Sequence, residues 1–244
     1  MSELGAGTPV AAARGAPPSG NLWKMLLAGL VGVLIGAVAM VASSGYFVRS
    51  YLMSNPEVIP EAMELLRSRE MATAVAQNRR QIETPFHGAW AGAERPEVTL
   101  VEYFDYACGF CRASNAAVDR LLREDPGLRV VWKEYPVLGP DSEAAAVASL
   151  AAAKAGRYRA FYDGLFGAGR PTPDALARAR ASVGLGEVAL TDEFRRELQG
   201  NFEVARAIGA QGTPTFVVGD QVLHGAVGYE ALKDAIAEAR AGRG

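Results

Sequence analysis

The chain's only two cysteines, Cys108 and Cys111, stand three residues apart directly behind a segment with few conformational choices. VTLVEYF (98–104) puts Val98, Leu100 and Phe104 on one face and Val101 and Tyr103 on the other. Apolar residues on both faces predict a central strand covered on both sides. Glu102 falls on the first face, where a carboxylate is costly without a partner. Asp105-Tyr106-Ala107 then turns the chain into CGFCRASNAAVDRLLRED, where Cys111, Val118, Leu121 and Leu122 share a helical face and Pro126-Gly127 supplies the stop. Two cysteines in 244 residues are not a disulfide framework; at this spacing they are a redox pair or half a metal site.

Downstream, LRVVW (128–132) predicts a second strand. Residues 141–209 are Ala-rich and helical, with a start at Thr172-Pro173-Asp174 and stops at Gly156, Gly184 and Gly209. TFVV-GD-QVLH predicts two strands joined by a two-residue Gly-Asp turn, and 229–240 a final amphipathic helix. A strand–turn–helix opening on Cys-x-x-Cys is a thioredoxin-like pattern. The expected class is therefore α/β: a thioredoxin-like domain over 93–244 with an all-helical insertion at about 141–209.

The N-terminal third is different. Residues 1–21 are rich in Gly, Ala, Pro and Ser and predict a disordered tail. Residues 25–48 contain no charge, and 25–42 alone would span about 27 Å as a helix. We expect 22–48 to be a transmembrane signal anchor; the alternative is a secretory signal cleaved after Ala37-Val38-Ala39. Either places the rest of the chain outside the cytoplasm. Residues 49–92 show no strand pattern and predict a helical stalk and linker. Asn55-Pro56-Glu57 is the expected helix start, Ile59, Met63 and Leu66 form a short apolar face, and 84–96 is the expected linker. With 25 Lys and Arg against 27 Asp and Glu, nothing points to nucleic acid.

The chemistry depends on the sulfurs. Cys108 would sit at a helix N-terminus, where unpaired N–H groups favour a thiolate, the attacking species in disulfide exchange. Cys111, one turn in on the core face, would resolve the mixed disulfide. Structural zinc needs four ligands, and only His87 and His224 could join the cysteines. Cu(I) accepts two soft sulfurs, so a membrane-anchored copper-binding thiol chaperone is the alternative function.

FDYACGFC, LGPDS (138–142) and GTPTF (212–216) together resemble the DsbA family of thiol:disulfide oxidoreductases, and YLMSNPEVIPEAMELL resembles the N-terminal segment of its ScsC-like branch. The resemblance covers about 51–240. It implies a cis peptide bond at Thr213-Pro214 beside the cysteines, with Thr213, Pro214, Gly109 and Phe110 as substrate contacts. It also implies that Glu102 moves protons to and from Cys111; the residues themselves offer a structural role compatible with this, a carboxylate paired with Lys133 at the end of the neighbouring strand. Tyr106, Phe110 and Val137 are a candidate apolar rim. The implied activity is disulfide formation or isomerisation in the periplasm from an inner-membrane anchor. It needs no dissociable cofactor beyond the Cys108–Cys111 pair. The implied partners are unfolded or misoxidised cysteine-containing proteins, a membrane redox protein that resets the pair, and further copies of the chain through the stalk. One departure is chemical: Gly109-Phe110 replaces the Pro-His of the strongest oxidant, so no imidazolium lowers the thiol pKa, and Thr213 in place of Val resembles the isomerase-type members.

Overall fold

The structure, a computed structural model, describes residues 21–242; the expected tail at 1–21 lies outside them except for Asn21. The chain divides into two units, Met1–Ala62 and Met63–Gly244.

In the first unit, α1 (Leu22–Ser54) is one unbroken helix of 33 residues with no buried side chain. Its composition and length qualify it as a candidate membrane span. At 1.5 Å per residue it is about 50 Å long, so it continues well past a hydrocarbon core of about 30 Å. Asn55 ends it: its backbone N–H and its side-chain amide both donate to the Tyr51 carbonyl at 2.9 Å. Asn55 was expected to cap the next helix instead. That helix, α2 (Val58–Glu83), starts three residues later. Pro60 lies in its first turn, where a missing N–H breaks no intrahelical bond.

The second unit is built on a five-stranded sheet of order β1-β3-β2-β4-β5. The strands are β1 (Trp90–Gly92), β2 (Val98–Phe104), β3 (Leu128–Glu134), β4 (Thr215–Val218) and β5 (Gln221–His224). All seven residues of β2 are buried, as apolar character on both faces requires. β2 runs parallel to β3 and antiparallel to β4, and Gly219-Asp220 turns β4 into β5. The edge strand β1 falls where no strand pattern was expected, because three residues carry no alternation to read. It is held by register with β3 (Trp90↔Val131). Gly92 at φ +97° is required here, since a Cβ would lie 2.2 Å from the Leu128 carbonyl oxygen.

The sheet separates two cores. On one face, Val98, Leu100, Phe104, Val130 and Trp132 meet α3 (Gly109–Glu124), α8 (Gly228–Ala241) and the inserted helices α4 (Pro140–Lys154), α5 (Tyr158–Ala168) and α6 (Pro173–Ser182). The insertion is not an appendage: Tyr158, Tyr162 and Phe166 of α5 pack on Trp132, Phe104 and Tyr106 with ring centroids 4.8–5.9 Å apart. The three expected glycine stops sit just past α4, α6 and α7 (Asp192–Ala207) at positive φ. Thr172 caps α6, its hydroxyl accepting from the Ala175 N–H.

On the other face, Val101, Tyr103, Val131 and Val217 are covered by α7 and by the second half of α2, through Val75 and Ile82. A domain boundary drawn at 93 therefore cuts through a core. From Met63 onward α2 belongs to the second unit. Its C-terminal half is apolar towards the sheet only at intervals, so composition alone reads it as an exposed stalk. Ile59, Met63 and Leu66 are exposed.

Candidate active site

The redox motif and the loop that faces it leave neighbouring strands at the same end of the sheet. β2 and β4 are antiparallel with Tyr103 opposite Thr215, so the chain leaving β2 meets the chain entering β4. Cys108 is the N-cap of α3, with extended backbone (φ −79°, ψ 117°). Its Sγ donates to the Thr213 carbonyl at 3.2 Å. The Thr213-Pro214 bond is cis. The loop is pinned on both sides: the Thr215 hydroxyl donates to the Gly212 carbonyl and the Gly225 N–H to that of Pro214.

Both thiols are free. Cys108 retains 6% exposure and Cys111 none. Gly109 lies between them with open space where a Cβ would stand, and Phe110 is 68% exposed. Burial pushes the Cys111 thiol well above the usual range; the Glu102 carboxylate adds to this, and a backbone hydrogen bond from Asp105 opposes it.

Glu102 is fully buried on the redox face of β2. In the parallel register it lies opposite Trp132, whose indole N–H donates to Oε2 at 3.1 Å. Oε1 has no hydrogen-bond partner among the described residues. Burial pushes its pKa up to about 8, the Trp132 bond works against this, and Asp119 reinforces it.

Lys133 is not the partner of Glu102. It follows Trp132 by one residue, and successive side chains of a strand point to opposite faces. Lys133 lies on the far side of the sheet, donating to the Thr84 carbonyl at 2.8 Å and to Glu197 at 3.4 Å. It ties the end of α2 to α7 on the sheet face opposite the sulfurs. The apolar rim also needs correction: Phe110 and Val137 are exposed, but Tyr106 is buried, its hydroxyl bonded to Ser149 at 2.8 Å.

Sequence reading passed over Asp105. Its Oδ1 accepts from the Ala107 N–H at 2.7 Å, and its Oδ2 from the Val137 and Leu138 N–H groups at 2.8 and 3.0 Å. Its carbonyl accepts from the Cys108 N–H at 3.0 Å. One buried carboxylate thus fixes the turn before the cysteines and joins it to the loop after β3. An Asp bonding the backbone two residues on is legible as a turn signal; the contact with 137 and 138, over thirty residues away, is not. His87 contacts Glu193 at 3.2 Å, away from the sulfurs.

Comparison with known proteins gives this geometry a family. A model of the DSBA-like thioredoxin domain matches residues 99–237, and one of the copper resistance protein ScsC N-terminal domain matches 45–72. Among solved structures, a linker-deleted variant of ScsC from Proteus mirabilis is 28% identical, with a TM-score of 0.70, covering 83% of this chain and 96% of its own. A thioredoxin-like oxidoreductase from Silicibacter pomeroyi is 36% identical, with a TM-score of 0.59, covering 62% of this chain and 91% of its own. The Na(+)/H(+) antiporter NhaA 1 of Salinispora arenicola is 33% identical over 166 residues, which are 62% of this chain and 24% of that protein. This chain thus spans about a quarter of the length of the curated relatives it matches. With the family model covering more than half of the sequence and the Cys-x-x-Cys helix set against a cis-proline loop, the chain belongs to the DSBA-like thioredoxin domain family.

Proposed function

We propose that the chain is an extracytoplasmic thiol:disulfide oxidoreductase in which Cys108 exchanges with substrate and Cys111 resolves. The observation that carries this reading is the asymmetry of the two sulfurs. Cys108 caps a helix against the Thr213 carbonyl, while Cys111 is sealed in the core beside Glu102. In the oxidising direction a substrate thiolate attacks Cys108 Sγ. The Cys108–Cys111 bond breaks, and Cys111 leaves with the electron pair and takes a proton from Glu102. A second substrate thiolate then attacks the substrate sulfur of the mixed disulfide, and Cys108 departs as thiolate. The substrate has gained a disulfide and the protein a dithiol. Isomerisation begins instead with the Cys108 thiolate attacking a substrate disulfide. Thr213, Pro214, Gly109 and Phe110 line the place where the substrate strand would lie.

The pair itself is the redox group, so no dissociable cofactor is required. The substrates are unfolded or misoxidised proteins with cysteines, and a membrane redox protein resets the pair. The apolar helix α1, together with the ScsC match, supports a periplasmic catalytic domain anchored in the inner membrane. The exposed face of Ile59, Met63 and Leu66 supports self-association. Lacking a histidine between the cysteines, the pair should have a potential of about −150 to −200 mV, between the strong oxidants and the reductants. The N-terminal match to a copper resistance protein and the two free sulfurs favour one other reading, transfer of Cu(I) as cargo.

Trapping separates the two. In the full chain, Cys111→Ser should accumulate mixed disulfides with scrambled, disulfide-bonded substrates, the Cys108 thiolate displacing one substrate sulfur as a thiol, and Cys108→Ser should accumulate none. Stoichiometric Cu(I) on the reduced protein, with no turnover of scrambled substrate, would select the copper reading. Trapping by Cys108→Ser rather than Cys111→Ser would reverse the assigned roles.

A further inference from the structure

The Asp105 carboxylate does more than shape the turn before Cys108. By accepting from the N–H groups of Val137 and Leu138, it holds an apolar loop two hydrogen bonds from the attacking sulfur. Both side chains of that loop are exposed. Pro136 and Pro140, which bracket it, line one end of a groove of about 790 Å³ between α4, α6 and α7. That volume lies within the roughly 300–1,000 Å³ of ligand-binding clefts. The groove carries apolar groups from each helix, among them Val147, Leu176 and Phe202. Exposed apolar side chains therefore stand on the 137–138 loop that Asp105 ties to the redox turn, and the prolines on either side of that loop open onto the groove of the helical insertion.

The charge of the groove is one-sided. Arg180 and Arg195, the two guanidiniums lining it, are taken up by Glu187 and Asp192. Asp141, Glu143 and Asp174 also line it, are exposed, and form no salt bridge among the described residues. They lie in the first turns of α4 and α6, where the helix dipole accounts for their presence. Their charge is nevertheless left facing the groove.

We infer that this groove takes an extended apolar stretch, carrying a lysine or arginine, of the same polypeptide whose cysteine is engaged at Cys108. The inference rests on the exchange activity proposed above and adds to it where the substrate chain runs and what composition is favoured. A cysteine seated between Cys108 and the Thr213 loop obliges its flanking residues to cross adjoining surface, at about 3.3 Å per residue. The loop tied to the redox turn is apolar, and the groove beyond its prolines carries carboxylates without a salt bridge among the described residues, so a chain that is apolar and then basic matches them.

The test uses the full chain with Cys111→Ser, in detergent, and peptides whose single cysteine is capped as a mixed disulfide with thionitrobenzoate. Cys108 attacks the peptide sulfur, the capped disulfide breaks, and thionitrobenzoate leaves as a coloured thiolate. A peptide with a six-residue apolar extension bearing lysine should react about tenfold faster than a three-residue peptide. Replacing its lysine with glutamate should remove most of that advantage. Ala177→Arg, at an exposed groove position on α6, should remove it too, by raising the peptide concentration that half-saturates the single-turnover rate rather than by lowering its limiting value. In the trapped complex, amide hydrogen exchange should slow in α4 and α6. Equal rates for the two peptides, an advantage that survives Ala177→Arg, or protection confined to α3 and α8 would overturn the inference. Concentration-dependent protection of the groove without peptide would also overturn it, in favour of a second copy of the chain. If neither peptide reacts, the exchange activity itself fails.

Discussion

Glu102 shows how one residue can cost stability and serve chemistry. Its carboxyl would titrate near 4.5 in the unfolded chain but titrates near 8 in the fold, because burial disfavours the anion. Between those values the unfolded chain has released the proton and the folded chain keeps it. The folded state then binds more protons, so stability falls as pH rises from about 4.5 towards about 8. At pH 7 the loss from this group is about 3 kcal/mol. Burial also raises Glu134, which adds to the same slope. Glu102→Gln keeps an oxygen for the Trp132 indole but cannot ionise. We expect it to be more stable than the parent by about 1–3 kcal/mol at pH 7. The gain should vanish below pH 4.5, as read from urea midpoints across pH. The same variant should resolve mixed disulfides roughly 10²-fold more slowly, having lost the group that exchanges protons with Cys111. A variant that is no more stable at pH 7 would show that Glu102 is ionised in the fold.

Among the elements, α2 is the one whose role changes most between sequence and structure. Val75 and Ile82 are both 1% exposed against β2, β3 and β4, and the Thr84 carbonyl just past the helix receives the buried Lys133 ammonium. Two such side chains are together worth about 3–6 kcal/mol, a large part of a marginal stability of about 5–15 kcal/mol. A chain starting at Met63 should therefore fold. One starting at Ala93 should be destabilised by at least about 3 kcal/mol or fail to fold, which denaturant midpoints measure. Equal midpoints would mean that α2 merely rests on the sheet. Arg79, which bonds the Gly219 carbonyl and pairs with Glu83 and Asp220, fastens the same helix at the β4–β5 turn.

For the whole molecule, the deciding segment is α1. Its 33 residues include an uncharged run from 25 to 48, and no side chain in it is buried. A helix that exposes this much apolar surface in water needs a cover, and a bilayer supplies one along its whole circumference. The mature protein should remain with membranes and resist extraction by alkaline carbonate. A mature N-terminus near Met40, read by sequencing, would show instead that the segment is a cleaved signal.

Several features of the fold were legible because their cause is local. The apolar run in 98–104, the Gly stops of α4, α6 and α7, the Thr172 cap, the Gly-Asp hairpin and the position of the cysteines at a helix start each follow from a few adjacent residues and their backbone preferences. Glu102 was also legible, as a carboxylate in an apolar file. What no local pattern carries is which strands neighbour each other and in what register. Register alone puts Trp132 rather than Lys133 beside Glu102, since a shift of one residue exchanges the faces of a strand. Pairing with β3 alone makes a strand of Trp90, Ala91 and Gly92. The second core turns half of an apparent stalk into part of the domain, and the parallel pairing of β2 with β3 brings Val137 and Leu138 to Asp105. Those decisions depend on contacts between residues far apart in the chain, and only the packed molecule makes them.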